Sequence, residues 1–369
     1  MRAPEPELGV LRVGYELTGL ELDAAGSARA ARRLREALAL RSDLDLVDVA
    51  QPPARAPLSG RVARGLTREL GWFPFRLPRR AGALGLDLLH CPVPLAPVRS
   101  PVPLVITLND VLAWERPEWF GRALVLQHRL VVERALRRAA RVLTPSVHSR
   151  DRIRAVLRLD PDRILVTPYG VEERFSPGEP SSAVLGGLGV EPPYVLTVGT
   201  LQPRKNLEGA LAAFERLAAA GASQRLVVAG ARGWRDEALA ARLQDSPAAA
   251  RIDVLGRVED EQLVELYRGA DCLLFCSRGE GFGFPVLEAM ACGTPVVCSD
   301  GTSLPEVAGG AAELVDPDDP VDVERGLGEV LGSPARREEL SRRGLERARS
   351  LSWTRCAELT AAAYRQAVG

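Results

Sequence analysis

The sequence predicts an α/β protein with two doubly wound, Rossmann-like domains, and three observations lead to this class. The chain has 369 residues, about twice the usual size of one domain. Short apolar runs alternate with longer amphipathic segments in both halves, as strand–helix units of parallel sheets do. A stretch rich in Pro, Gly and Ser over 171–192 interrupts the alternation and predicts a linker between domains 1–170 and 193–350.

Each half contains six short apolar runs that we predict as strands. In the first half they span 10–17, 43–49, 87–91, 102–108, 141–145 and 163–168. In the second half they span 194–199, 224–230, 251–256, 271–276, 295–299 and 311–316. Helical periodicity covers 27–40, 117–138 and 146–157, with Ser146 as a predicted N-cap. Ligands of such folds bind outside the carboxyl ends of the strands, which predicts a cleft between the domains.

The charge balance differs between the halves. The whole chain has 48 basic and 48 acidic residues, but residues 1–170 contain 27 Arg against 18 Asp and Glu. A basic half is typical of a domain that meets an anionic partner, such as a membrane surface or a phosphorylated acceptor. Solvated, arginine-rich helix faces would give the same asymmetry. Lys205 is the single lysine of the chain.

Several classes of protein are excluded by what the sequence lacks. No apolar run approaches the ~20 residues of a membrane span, and the first residues lack a signal-peptide pattern, so we expect a cytoplasmic protein. The six cysteines lie in apolar contexts without CxxC pairs and are predicted to be reduced core thiols. Asp-x-Asp triplets at 43–45, 160–162 and 316–318 fall in a strand-like run, a turn and a surface segment, and predict no metal site.

The strongest chemical pattern lies in residues 277–300. Gly279, Gly281 and Gly283 allow a loop to approach a ligand closely, and Pro285 suits the first turn of a helix. The amino end of such a helix favours a phosphate group.

Two carboxylates, Glu280 and Glu288, flank this loop. Carboxylates beside a phosphate repel it unless they accept hydrogen bonds from hydroxyl groups, which a sugar or a ribose supplies. The loop therefore predicts a site for a nucleotide sugar.

A basic pair forms the second pattern. Arg204 and Lys205 lie between a predicted strand and a helix that Asn206 is expected to cap. Two cations there would neutralise a diphosphate, with Arg binding as a fork and Lys as a point charge. A solvated pair is the alternative, but the helix dipole disfavours cations at this end.

These segments resemble the retaining glycosyltransferases of family 4. The resemblance rests on GTLQPRKN at 199–206, VVAGARG at 227–233 and the stretch from VLGRVEDEQ to SLPEVAG at 254–309. It is looser in the first half, through the turn at Gly26, ITLNDV at 106–111, RVLTPSVHSRDRI at 141–153 and PYGVEERFSP at 168–177. It implies the GT-B fold, two Rossmann-like domains facing each other across a cleft, with a final helix in 351–369 packing back across the domain junction.

The resemblance also implies roles for individual residues. Arg204, Lys205 and Glu280 would be catalytic, the two cations on the donor diphosphate and Glu280 on the transferred sugar. Glu288 would bind the ribose, and Arg257 and Val258 would lie near the base. The complete predicted donor site is Gly199, Arg204, Lys205, Arg257, Val258, Glu280, Gly281, Phe282, Gly283, Phe284, Pro285, Val286 and Glu288. The predicted acceptor side is Gly26, Ser27, His90, Asn109 and Asp110.

One position departs from the family pattern. The family usually has His–Asp after the strand that here ends ITL, whereas this chain has Asn109–Asp110. Asparagine hydrogen-bonds but does not titrate near neutral pH, so a role that requires an imidazole is in doubt. Among the three histidines, His90 at a strand end is the best candidate for a cleft contact.

Residues 61–80 combine six Arg and one Glu with Trp72, Phe73 and Phe75. Exposed aromatic side chains among arginines would place this segment at an anionic membrane, at the inner face for a cytoplasmic protein. Buried aromatic rings with solvated arginines are the alternative. The charge alone would suit nucleic acid, but the family resemblance argues against that partner.

The predicted function is retaining transfer of a hexose, of mannose or glucose type, from a GDP- or UDP-linked sugar. The acceptor would be a hydroxyl of a glycan, a lipid-linked glycan or a small molecule, and neither a cofactor nor a metal is expected. The alternatives are a related sugar-nucleotide epimerase or phosphorylase, and a catalytically silent protein that binds sugar nucleotides.

Overall fold

The computed structural model describes residues 9–21, 26–52, 68–231 and 237–369. The chain divides into two compact units. The first contains Met1–Tyr169 and Trp353–Gly369, and the second contains Gly170–Ser352. Among the described residues, no helix has the length and apolar character to cross a bilayer. All six cysteines are free and buried, as predicted.

The described part of the first unit contains a parallel sheet of order β2-β1-β3-β4-β5-β6. Each strand lies within a predicted run. The strands are β1 (Leu11–Glu16), β2 (Leu44–Val49), β3 (Leu88–Cys91), β4 (Leu104–Thr107), β5 (Arg141–Thr144) and β6 (Ile164–Val166). The central strands β3 and β4 are fully buried, as expected for a parallel sheet covered on both faces.

Helices cover this sheet. The α-helices are α1 (Gly26–Ala39), α2 (Leu77–Ala83), α3 (Leu112–Glu115), α4 (Arg122–Gln127), α5 (Glu133–Arg138) and α6 (Val147–Leu157). Ser146 caps α6 as predicted, because its side chain accepts a hydrogen bond from Ser149 N. The C-terminal helix (Trp353–Val368) also belongs to this unit and packs against α1. The chain therefore returns to its first unit after completing the second.

The helix predicted over 117–138 is divided into segments. Pro117–Trp119 forms a 3₁₀ turn, and Gly121 then adopts an extended conformation that separates this turn from α4. A π-helical segment, His128–Val132, joins α4 to α5. Other short segments of this unit are the 3₁₀ turns Thr18–Glu21 and Pro161–Arg163.

The aromatic residues of the 61–80 segment do not form the exposed surface that we predicted. Residues 61–67 lie outside the described residues, and Arg68–Arg76 forms a π-helix. Trp72 and Phe73 are buried in the core, where the Trp72 indole donates to Glu16 Oε1 at 3.1 Å. Of the three rings, only that of Phe75 lies at the surface, and this residue is 60% exposed. The prediction is therefore wrong for Trp72 and Phe73, because their rings complete the core beneath the sheet.

The second unit contains a parallel sheet of order β12-β11-β10-β7-β8-β9 within its described residues. Its strands are β7 (Tyr194–Val198), β8 (Arg225–Ala229), β9 (Ile252–Gly256), β10 (Cys272–Phe275), β11 (Val296–Ser299) and β12 (Glu313–Val315). Its α-helices are α7 (Ser182–Gly187), α8 (Leu207–Ala219), α9 (Glu237–Gln244), α10 (Asp260–Gly269), α11 (Phe284–Cys292), α12 (Leu304–Ala308), α13 (Pro320–Gly332) and α14 (Pro334–Ser350). All six predicted strands of this half are present.

The stretch predicted as a linker, 171–192, belongs to the second unit. It contains α7, and several hydrogen bonds hold it to α10. Arg268 Nε donates to the Ser176 carbonyl at 3.0 Å, and Ser181 N donates to Glu265 Oε2 at 2.7 Å. These bonds fold the stretch onto a sheet-covering helix, which its Pro, Gly and Ser content did not indicate.

Candidate functional site

The two predicted donor loops meet at one edge of the second sheet. Strands β7 and β10 are hydrogen-bonded neighbours, so their carboxyl ends lie side by side. The loop after β7 contains Arg204 and Lys205 in a 3₁₀ turn, and the loop after β10 contains Glu280. Arg278 N donates to the Arg204 carbonyl at 2.8 Å, which joins the two loops through their backbones.

Three donors converge on one carboxylate oxygen, Glu280 Oε1. Lys205 Nζ lies 2.6 Å from it and Arg204 Nη1 lies 3.2 Å from it. The Ser277 hydroxyl donates to the same oxygen at 2.6 Å. Within the described residues, Glu280 Oε2 accepts no hydrogen bond, which leaves one acceptor at the centre of the cluster.

The Glu280 carboxylate is ionised at neutral pH. Burial favours a higher pKa for Glu280, but the Lys205 and Arg204 charges and the hydrogen bonds outweigh it and lower the pKa to about 2. Burial lowers the pKa of Lys205, and the Glu280 carboxylate opposes this shift. Lys205 Nζ also lies 4.8 Å from the centroid of the Phe275 ring, a cation–π contact. Two cations at the junction of these loops suit an anionic ligand.

Glycine is required at two positions of these loops. Gly199 has a φ of +145°, and a Cβ there would lie 3.2 Å from Lys205 Cε. Gly283 has a φ of +112°, and a Cβ there would lie 2.5 Å from Leu304 Cδ2. The first glycine makes room for the lysine side chain, and the second permits the turn into α11.

Ser303, just before α12, is hydrogen-bonded to the backbone of the glycine-rich loop. Its hydroxyl oxygen lies 3.0 Å from the Glu280 carbonyl and 2.8 Å from the Phe282 carbonyl. Helix α11 then begins at Phe284, with Pro285 in its first turn as predicted. Sequence reasoning missed Ser277 and Ser303, because an isolated serine gives no pattern and Ser303 comes from a separate loop.

Asn206 holds the basic pair in place. It is buried, adopts the left-handed conformation with φ 51° and ψ 43°, and caps α8 by accepting from Gly209 N at 3.3 Å. Its amide donates to the Pro317 carbonyl at 2.5 Å. Asparagine tolerates this backbone better than most residues and supplies both bonds, so the predicted N-cap is confirmed.

The remaining predicted donor residues occupy different environments. Glu288 is buried in α11 and accepts from the Tyr267 hydroxyl at 3.0 Å. Val286 is fully buried, so its side chain serves the core. Arg257 is exposed and Val258 half-buried in the loop after β9, the edge strand on the far side of β8 from β7. The contacts of these residues with ribose and base remain predictions.

The predicted acceptor residues lie in the first unit. Gly26 and Ser27 begin α1. Asn109 follows β4 and its Oδ1 accepts from the Tyr169 hydroxyl at 2.5 Å, while Asp110 Oδ1 accepts from Leu112 N at 2.9 Å at the start of α3. Asn109 and Asp110 are half-buried.

His90 does not suit a ligand contact, contrary to our prediction. Its ring is fully buried, with Nδ1 2.6 Å from the Tyr364 hydroxyl and Nε2 2.9 Å from the Thr107 hydroxyl. Burial lowers its pKa to about 3, so the ring is neutral. Both ring nitrogens are used inside the first unit, where His90 joins β3 to β4 and to the C-terminal helix.

No group of three His, Cys, Asp or Glu side chains that could hold a metal ion occurs among the described residues. In two of the three Asp-x-Asp triplets a carboxylate pairs with an arginine: Asp45 with Arg12 at 2.8 Å, and Asp318 with Arg278 at 2.5 Å.

The fold matches solved structures over nearly the whole chain. Sucrose-phosphate synthase from Thermosynechococcus elongatus superposes with a TM-score of 0.78, at 22% identity, covering 96% of this chain and 98% of that one. HepE from Anabaena, in complex with UDP and glucose, superposes with a TM-score of 0.73, at 16% identity, covering 95% and 98%. The architecture is therefore that of the GT-B glycosyltransferases.

Family models match both units. The model for glycosyltransferase family 4 matches residues 26–175, and the model for glycosyl transferases group 1 matches residues 186–347. O-antigen chain mannosyltransferase B of Escherichia coli is 34% identical over 269 residues, covering 71% of this chain and 70% of that protein. The chain belongs to the family 4 glycosyltransferases and is related to mannosyltransferases.

Proposed function

We propose that this glycosyltransferase moves a hexose, with mannose favoured, from a nucleoside diphosphate sugar to a hydroxyl group of its acceptor. Transfer would proceed with retention of anomeric configuration and without a metal ion or cofactor. The acceptor would be a glycan, a lipid-linked glycan or a small molecule bound by the first unit. The observation that carries the proposal is the cluster of Arg204, Lys205 and Glu280 at the carboxyl ends of β7 and β10.

The chemistry of the cluster supports this assignment. When the bond between the sugar and the diphosphate breaks, negative charge develops on the leaving phosphate. Arg204 and Lys205 supply two positive charges at a fixed position, and stabilisation of developing charge is usually the largest catalytic effect. These side chains provide the neutralisation that a bound metal ion supplies in other phosphate sites.

Glu280 supports recognition of the sugar. Its Oε1 is held by Lys205, Arg204 and Ser277, so the carboxylate has one orientation. Its Oε2 is the acceptor for a sugar hydroxyl, and an ionised carboxylate makes such a bond stronger than a neutral group does. A sugar hydroxyl bound to Oε2 also separates the Glu280 carboxylate from the diphosphate, which carries the same sign of charge.

The choice of base and sugar rests on the related proteins and not on the geometry of the site. The relationship to an O-antigen mannosyltransferase favours mannose, and with it a guanosine donor. The HepE structure was solved with UDP and glucose, which makes a uridine donor the first alternative. The loop of Arg257 and Val258 would distinguish the two bases.

A thermal-shift panel tests the proposed donor. GDP, UDP and ADP are compared with GDP-mannose and UDP-glucose, because a ligand that binds the native state raises the apparent stability, by about 2.7 kcal/mol at 100 times its Kd. We expect one diphosphate to raise Tm and its sugar conjugate to raise Tm further. An unchanged Tm with all five ligands at millimolar concentration contradicts the proposal.

Asn109 supports a second candidate, a protein that binds sugar nucleotides without transferring the sugar. Its amide takes the place of the usual histidine and accepts from the Tyr169 hydroxyl, so no imidazole stands there. Tight nucleotide binding with no donor turnover across a broad acceptor panel would favour this candidate. Product analysis with and without an acceptor separates transfer from epimerisation or phosphorolysis.

A further inference from the structure

A hydrogen bond joins Asn109 to a buried tyrosine of the first unit. The Tyr169 hydroxyl donates to Asn109 Oδ1 at 2.5 Å. Tyr169 is only 4% exposed, whereas Asn109 is half-buried in the loop after β4. Within the described residues, the Asn109 side chain makes no other hydrogen bond. Its oxygen is therefore engaged by the protein, and its Nδ2 hydrogens are available to a ligand.

Packing fixes the position of the Tyr169 ring. Trp353, the first residue of the C-terminal helix, lies against it with ring centroids 5.6 Å apart and planes at 31°. The chain just before Tyr169 is also bound to its neighbours. Thr167 N donates to the Thr144 carbonyl at 2.8 Å, and the Cys356 thiol donates to the Thr167 carbonyl at 3.7 Å. A ring enclosed in this way holds one rotamer, because a close-packed interior leaves no space for another.

The Tyr169 hydroxyl keeps its proton near neutral pH. Burial raises the pKa of this phenol, and interactions with Cys356 and Asp110 raise it further. The protonated hydroxyl donates to the amide oxygen of Asn109, because the amide nitrogen carries hydrogens and is not an acceptor. Asn109 therefore turns its oxygen toward Tyr169 and its NH2 group away from it.

We propose that Tyr169 is a positioning residue, which makes Asn109 a hydrogen-bond donor to a hydroxyl oxygen of a bound sugar. The inference rests on the proposed function, because it takes the ligand of this loop to be a sugar. The Asn109 oxygen is occupied, so the ligand atom that faces this side chain is an acceptor. A phosphate oxygen is disfavoured, since the Asp110 carboxylate follows Asn109 directly and like charges repel.

This pair of residues offers a ligand one kind of contact. An imidazole presents a donor, an acceptor or two donors, according to its tautomer and its charge. Asn109 bound to Tyr169 presents a donor throughout the neutral pH range. The position therefore supplies recognition of a hydroxyl group without proton transfer, which limits its role to orientation of the sugar.

A double-mutant cycle tests the positioning role. Nucleoside diphosphate release is measured with GDP-mannose or UDP-glucose, whichever raises Tm more, for the parent chain, Tyr169→Phe, Asn109→Ala and the double variant. We expect Tyr169→Phe to lower kcat/KM about tenfold in the parent chain and not at all when residue 109 is alanine, because residues that act as one unit are not additive. A loss of the same size in both backgrounds overturns the proposal, since the hydroxyl then acts without Asn109.

Tyr15→Phe is the matched control for this cycle. Tyr15 is fully buried in the same unit, and its hydroxyl donates to the Ala31 carbonyl at 2.7 Å. Both substitutions remove one buried hydroxyl group, so we expect them to lower Tm by similar amounts. Only Tyr169→Phe should lower kcat/KM. An equal loss of kcat/KM in Tyr15→Phe would show an effect of stability alone and contradict the positioning role.

Labelled asparagine gives a second readout that needs no turnover. Asn109 and Asn206 are the two asparagines of the chain. Protein made with asparagine that carries ¹⁵N in its side chain therefore shows two NH2 resonances in an NMR spectrum, and Asn109→Ala identifies one of them by removing it. Asn206 adjoins the basic pair and reports on the diphosphate. The probes are GDP, UDP, GDP-mannose, UDP-glucose and methyl α-mannoside.

The movements of the two resonances separate the outcomes. A donor sugar at Asn109 should move its resonance with a nucleotide sugar and not with the free diphosphate, whereas an acceptor sugar should move it with methyl α-mannoside. We expect either movement to be much smaller in Tyr169→Phe. An Asn109 resonance that no sugar moves while the Asn206 resonance responds overturns the proposal, and so does one that the diphosphate alone moves equally. An Asn206 resonance that no nucleotide moves contradicts the proposed function, and the inference fails with it.

Discussion

Lys205→Ala lowers the turnover of the donor by about 10²–10³-fold, the effect of removing one preorganised group that stabilises developing charge. The Lys205 ammonium lies 2.6 Å from Glu280 Oε1 at the junction of the two donor loops. Its attraction to the diphosphate grows as the bond to the sugar breaks, so kcat falls more than donor affinity does. Steady-state kinetics of nucleoside diphosphate release measure both parameters.

The stability of the Lys205→Ala variant should change much less than its activity. Arg204 and Ser277 still contact Glu280 Oε1, so the carboxylate keeps two partners. Arg278→Ala is the matched control, because this arginine follows β10 in the neighbouring loop but pairs with Asp318 outside the cluster. Transfer rates that are equal in the parent chain and in Lys205→Ala would remove the assignment of the lysine to the diphosphate.

Glu280→Gln abolishes the preference for the sugar conjugate over the free diphosphate. Glutamine keeps the shape of the side chain but loses its charge, and a hydrogen bond to a charged group contributes about 1.5–3 kcal/mol. We therefore expect the affinity for the nucleotide sugar to fall by about 10–100-fold. The affinity for the free diphosphate should stay the same or rise, because the cluster gains one net positive charge.

Calorimetric titrations with both ligands measure this difference. Glu208→Gln is the matched control, since Glu208 is exposed in the first turn of α8, close in sequence to the basic pair but outside the cluster. An unchanged ratio of the two affinities in Glu280→Gln, together with full activity on every donor, would refute the role of Glu280.

Local patterns were sufficient to predict the strands and several caps. The runs 271–276 and 295–299 contain β10 and β11, which are fully buried, because a parallel sheet covered by helices needs apolar side chains on both faces. Ser146 and Asn206 were predictable as N-caps because their hydrogen bonds join residues three apart. The spacing of Arg204, Lys205 and Glu280 from their strand ends likewise predicted that they belong to one edge of a sheet.

Contacts between residues far apart in the chain could not be read from such patterns. His90 was predicted to contact a ligand because it lies at a strand end. Its Nδ1 is instead hydrogen-bonded to the Tyr364 hydroxyl, 274 residues later in the chain. Trp72 appeared able to face a membrane, but Glu16 and the core enclose its indole.

The central claim is that Arg204 and Lys205 bind the donor diphosphate. Its most direct test is a calorimetric titration of the nucleoside diphosphate that raises Tm in the thermal-shift panel. The titration uses the parent chain, the double variant Arg204→Ala, Lys205→Ala and the control Arg278→Ala. We predict that the double variant binds the diphosphate at least about 100-fold more weakly, from the loss of two charge-assisted contacts. The control should bind like the parent chain, and equal affinity in the double variant would contradict the claim.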